Sequence, residues 1–113
     1  MKSWIEIPEN SDFSIYNIPF GIGSDSGDPY VCTRIGDQVI NLYKLAQSGF
    51  FRGLVDNNGV FNQPVLNPFI ALGKSVTGEV RSRLQGTLSN DNSPLRHQPE
   101  LFAPFRLVTM HLP

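Results

Sequence analysis

The sequence predicts a mainly β domain: a compact, barrel-like sheet carrying helical insertions (α+β). Three observations carry that expectation. A hairpin signature occupies residues 30–42, an apolar stripe at helical spacing runs through 75–88, and a further β-rich run begins at Phe105. Strands thus come first, helices in the middle and a strand returns at the end. The alternating βαβ order that builds a doubly wound parallel sheet is absent. With 113 residues, the chain has room for a single core, so 1–113 is read as one domain.

Taken in order, the first ten residues, MKSWIEIPEN, hold one lysine and a strand-like run without the apolar centre of a secretory leader. Next comes PFGIGSDSG at 19–27, whose spacing Gly21-x-Gly23-x-x-x-Gly27 narrowly misses the dinucleotide fingerprint. A phosphate loop needs a helix N-terminus behind it, whereas Asp25, Asp28 and Pro29 follow here and lead into a strand. Two carboxylates would repel phosphate, so the stretch is read as a turn. It does not read as a calcium loop either, because Gly36 stands where the closing acid would be needed.

The hairpin YVCTRIGDQVINL turns on Gly36-Asp37, a two-residue loop with glycine where positive φ is required. Folding about it sets Val31, Thr33 and Ile35 opposite Leu42, Ile40 and Gln38, a mainly apolar face. Tyr30, Cys32, Arg34, Val39 and Asn41 share the other, mixed face. A short helix is expected from 42 to 47, stopped by Gly49, then a loop through 49–59 carrying Phe50 and Phe51. Asn67 reads as an N-cap with Pro68 at the first helical position, turning Phe69 and Leu72 inward. Val76, Val80, Leu84 and Leu88 then mark a helix over 75–88, weakened by Gly78 and Gly86. Residues 89–99 are loop chemistry, and FRLVTM reads as the last strand.

Composition narrows the function. Nine Lys and Arg against ten Asp and Glu leave a formal charge of −1, without the clustered basic excess that nucleic-acid binding requires. Arg81 and Arg83 are read as a solvated helix face. A single cysteine excludes an internal disulfide and favours a reducing compartment. No apolar run is long enough to span a bilayer. The expectation is a soluble, cytoplasmic protein with neither nucleic acid nor membrane as partner. Cys32 lies mid-strand with nothing nearby to lower its pKa, and is read as a structural thiol. His97 and His111, with Glu6, Glu9, Glu79 and Glu100, form no cluster with catalytic or metal-ligand spacing.

Four stretches together resemble one family: SDFSIYNIPFG at 11–21, RIGDQVINL at 34–42, VFNQPVLNPFIALGK at 60–74 and TMHLP at 109–113. In order and approximate separation they are similar to the amino-terminal domain of the fumarylacetoacetases. The resemblance implies a small SH3-like β-barrel. It also implies that the complete enzyme hydrolyses the carbon–carbon bond of 4-fumarylacetoacetate, giving fumarate and acetoacetate at the end of tyrosine and phenylalanine catabolism. In that family a divalent metal, calcium or magnesium, and a His-activated water carry the reaction in a homodimer.

Those residues belong to a larger carboxy-terminal domain that this chain does not contain. No catalytic, cofactor-binding or metal-binding residue is therefore carried onto these positions, and His111 is not the catalytic histidine. The implied partners are that catalytic domain and the dimer mate. Phe61, Asn62, Gln63, Pro64, Met110, His111 and Leu112 are the candidate interdomain contacts. The alternative is a stand-alone SH3-like module that binds peptide through Tyr16, Phe20 and Tyr30. A small nucleotide-binding enzyme rests on the glycines alone.

Overall fold

The hairpin organises the fold. In the computed structural model, which describes residues 18–25, 27–90 and 92–111, Gly36 takes a φ of 56°. That value suits the first central position of a two-residue hairpin loop. Strands β2 (Tyr30–Ile35) and β3 (Gln38–Asn41) pair about it, with Thr33 opposite Ile40 and Ile35 opposite Gln38, in the register the sequence predicts. Strand β1 (Phe20–Ser24) lies antiparallel on the other side of β2. The edges are the short strands β4 (Phe102–Pro104), beside β3, and β5 (Thr109–His111), beside β1. The order is β4-β3-β2-β1-β5.

This order forces the sheet to curl. Laid flat, strands spaced about 4.8 Å apart would put β4 and β5 roughly 19 Å from each other. The chain joins them through residues 105–108, tightened further by a 3-10 turn at Phe105–Leu107 that rises only about 2 Å per residue. The edges must therefore approach, and the link crosses one face of the sheet. Val108 sits so close that a Cβ added to Gly23 would lie 2.9 Å from its Cγ1. The result is a curled, antiparallel half-barrel with helical insertions, the architecture of a small SH3-like β-barrel.

Pleating assigns each side chain to a face. The outer face, with Ile22, Val31, Ile35 and Ile40, holds the main core. It is covered by α1 (Leu42–Gln47), α2 (Asn67–Ile70), α3 (Lys74–Leu88) and a 3-10 turn at Asn58–Phe61. The inner face holds a smaller cluster of Tyr30, Cys32, Val39 and Val108, flanked by Ala103 and Phe105. Helix α1 starts where the sequence predicts, because the Asn41 side chain accepts from the Lys44 N–H. Val80, Leu84 and Leu88 of α3 are fully buried, and Val76 packs on the core at its margin.

Four expectations need correction. Gly21 and Gly23 are not in a turn but in β1, and the turn is confined to the residues after Ser24. Within FRLVTM, Phe105–Leu107 form a 3-10 turn and the strand is Thr109–His111, while β4 was unforeseen. Helix α2 begins at Asn67 with Leu66 as its cap, one residue earlier than predicted and without a capping side chain. Leu72 follows that one-turn helix on the surface, 36% exposed, while Phe69 is buried.

Candidate interdomain surface

The residues singled out for an interdomain surface occupy three environments. Phe61 is fully buried. Its ring stacks on Phe51 at 5.1 Å between centroids and lies 5.2 Å from Phe69. The turn that carries it packs on α1, β2 and α2, so Phe61 belongs to the core and not to a surface. Asn62 and Pro64 are exposed, and the Gln63 amide donates back to the Gly59 carbonyl at 3.1 Å. Met110 is 41% exposed. His111 is exposed beside β1, its Nε2 2.7 Å from Ser24 Oγ. Leu112 lies outside the described residues.

The second stretch is split between the faces: His111, opposite Ile22, is on the outer face with Phe61, and Met110 is not. Met110 is opposite Gly23 and therefore projects from the inner face, whereas Phe61 packs against the outer one. The same test separates the aromatics of the peptide-binding alternative. Phe20 pairs with Thr33 on the outer face and Tyr30 with Gly23 on the inner. Tyr30 is moreover 4% exposed, and Tyr16 is outside the described residues. Phe20 lies edge-on to Phe69 at 4.9 Å and beneath the Arg81 guanidinium at 4.8 Å. These side chains build no common groove.

Among the described residues, two groups of large apolar side chains are exposed instead. Val65, Ile70 and Leu72 surround α2, and Leu107 and Met110 lie on the link and on β5. Sequence reasoning found Met110 and missed Leu107 and Ile70. Reading FRLVTM as a strand hid the 3-10 turn that leaves Leu107 60% exposed, and α2 is too short for its periodicity to reveal Ile70.

Arg81 and Arg83 are not a solvated face. Arg81 Nε donates to the Ile18 carbonyl at 3.3 Å and Arg83 Nη1 to the Phe50 carbonyl at 3.3 Å, tying α3 to the entry of β1 and to the loop after α1.

Burial holds two titratable side chains, Cys32 and Tyr30, in their neutral forms. Cys32 is 1% exposed, and burial pushes its thiol up to about 12, far from the thiolate a nucleophile needs. Tyr30 is likewise raised to about 12, by burial first and then by the neighbouring Asp25 and Cys32. No group of three or more His, Cys, Asp and Glu among the described residues could hold a metal ion. The described residues thus offer no such cluster for calcium or magnesium, which the resemblance places outside this chain. Among the described residues, β2 is the next element after β1, where a phosphate loop would require a helix N-terminus. No helix among the described residues is long and apolar enough to cross a membrane.

Known proteins agree on one relationship. The chain is 42% identical over 127 residues to the fumarylacetoacetase fahA of Aspergillus fumigatus, a match covering 100% of this chain and 29% of that protein. It is 40% identical over 119 residues to the fumarylacetoacetase of Homo sapiens, covering 98% and 28%. With that of Caenorhabditis elegans it shares 38% over 119 residues, covering 100% and 28%. The chain therefore spans little more than a quarter of the length of these relatives. Residues 16–113 match the family described as Fumarylacetoacetase N-terminal. That match takes in every described element of the curled sheet and its helices, and the chain belongs to the fumarylacetoacetase N-terminal family.

Proposed function

We propose that this chain is the non-catalytic front part of a fumarylacetoacetase and that its role is architectural: it packs on the catalytic part of the protein. The observation that carries the reading is the pattern of coverage. Relatives named fumarylacetoacetase match the chain over 98–100% of its length, while the chain accounts for 28–29% of theirs. On this reading the full-length protein hydrolyses the carbon–carbon bond of 4-fumarylacetoacetate to fumarate and acetoacetate, as a cytoplasmic homodimer. The divalent metal, calcium or magnesium, and the water-activating histidine sit in the larger part.

The chemistry of the described residues supports the division of labour. The thiol is buried and raised, His111 is paired with a serine hydroxyl on an exposed edge, and the Asn41 side chain caps α1. The test is to assay fumarylacetoacetate cleavage by the full-length protein and by residues 1–113 at equal concentration. Cleavage by the former alone is expected. Turnover by the 113-residue chain would refute the assignment of roles, and an inert full-length protein would refute the activity.

A further inference from the structure

Resting on that reading, we propose that the catalytic part docks on this domain by seating an apolar side chain in a slot on the inner face of the sheet. The slot is about 250 Å³; its inner-face walls are Gly21 of β1, Cys32 and Arg34 of β2, Phe105 of the link and Met110 of β5, and the outer-face residues Phe20 and Thr33 also line it. That volume falls below the roughly 300–1,000 Å³ of small-molecule sites and suits a side chain or two. Its floor is backbone at Gly21, where an added Cβ would lie 3.2 Å from Met110 Cε.

The occupant must be apolar because the one charge in the wall is already engaged. The Arg34 guanidinium lies 3.5 Å from the Phe105 ring centroid. Its Nε donates to the Gly36 carbonyl at 2.8 Å, and its Nη2 is 3.6 Å from the Asp37 carboxylate. It presents a stacked, ion-paired surface and not an open anion site. Met110 in the wall is 41% exposed, Leu107 on the same link as Phe105 is 60% exposed, and methionine adapts readily to a partner's shape.

Position identifies the partner. The chain corresponds to the N-terminal portion of relatives more than three times as long, of which it covers 28–29%, so on this reading the bulk of the protein follows β5. Since β5 is itself a wall of the slot, the following polypeptide meets this surface first and at the high effective concentration a short tether confers. The apolar patch around Ile70 lies across the sheet, on the helical side.

Hydrogen exchange on the full-length protein tests this, comparing wild type with Met110→Glu and Ile70→Glu. The expected result is that Met110→Glu speeds exchange at least ten-fold in peptides over 105–111 and in at least one segment beyond residue 113, with α3 unchanged. Ile70→Glu is expected to leave both regions at wild-type rates. Unchanged rates beyond residue 113 in Met110→Glu, or acceleration there by Ile70→Glu alone, overturn the proposal.

Should α3 also accelerate in Met110→Glu, the domain itself has loosened. Gly21→Val, which fills the slot without a charge, and the milder Met110→Ala are then read by the same criterion. Cleavage of fumarylacetoacetate by the same wild-type preparation is scored separately. An inactive protein with the docking signature intact refutes the enzymatic reading alone, and an active one without that signature refutes the slot alone.

Discussion

Thr33 illustrates how a single atom can work against the fold that holds it. It faces the main core between Phe20 and Ile40, 1% exposed, and its Oγ1 has no hydrogen-bond partner among the described residues. A buried hydroxyl without a partner costs about 1–3 kcal/mol of desolvation. Thr33→Val keeps the β-branched shape and removes that cost, so it should stabilise the domain by about 1 kcal/mol, read as a melting temperature several degrees higher. A lower melting temperature would mean that the hydroxyl has a partner after all. Cys32 and Tyr30 set a pH limit. Their ordinary values are 9.0 and 10.0, and the fold raises both to about 12. Between those limits the unfolded chain loses protons that the native state keeps, so stability falls as pH rises. The melting temperature should hold steady up to about pH 9 and decline above it. Cys32→Ala should remove the earlier onset and Tyr30→Phe the later part. A curve that stays level through pH 11 would contradict the burial argument.

At the level of elements, α3 shows a conflict between propensity and packing. Gly86 is exposed in its last turns, and an added Cβ there would meet nothing within 4 Å. Gly86→Ala should therefore stabilise by about 0.5–1 kcal/mol. Leu84 is fully buried in the main core, and Leu84→Ala should cost about 2–5 kcal/mol. Chemical denaturation of both variants checks the pair, and an equal small effect at both positions would mean that α3 is not anchored by its stripe. The helix and the hairpin were legible because each carries its own periodicity: Val80, Leu84 and Leu88 repeat with the helical turn, and Val31, Thr33 and Ile35 alternate about Gly36. The edge strands were not, because three residues are too few to establish a period. Phe102–Pro104 and Thr109–His111 are strands only because β3 and β1 offer them partners. The surface was half legible for the same reason. A quoted block such as Phe61 to Pro64 marks a place in the chain but not a face, and only tertiary packing puts Phe61 inside and Pro64 outside.

For the molecule as a whole, the curl is the decisive feature, and Gly23 shows what it demands. In the sequence this glycine reads as a turn residue, since glycine most often signals freedom of φ. Here it signals lack of space: a Cβ would lie 2.9 Å from Val108 Cγ1, closer than packed atoms tolerate, and 3.2 Å from Cys32 Sγ, a tight contact. The link through Val108 can cross the inner face only because Gly23 leaves room for it, and the crossing is what holds β4 and β5 near each other. Gly23→Ala should thus overpack the inner cluster and cost about 1–3 kcal/mol. Gly27→Ala, in the open turn where nothing lies within 4 Å, should change little. A double-mutant cycle separates the clash from a general intolerance of β1. If Val108 is the obstacle, Val108→Ala makes room for the new methyl, and the double variant should be more stable than the sum of the two losses predicts. Strict additivity would place the conflict at Cys32 instead, and the closure of the sheet would then depend on the thiol's small volume and not on the path of the link.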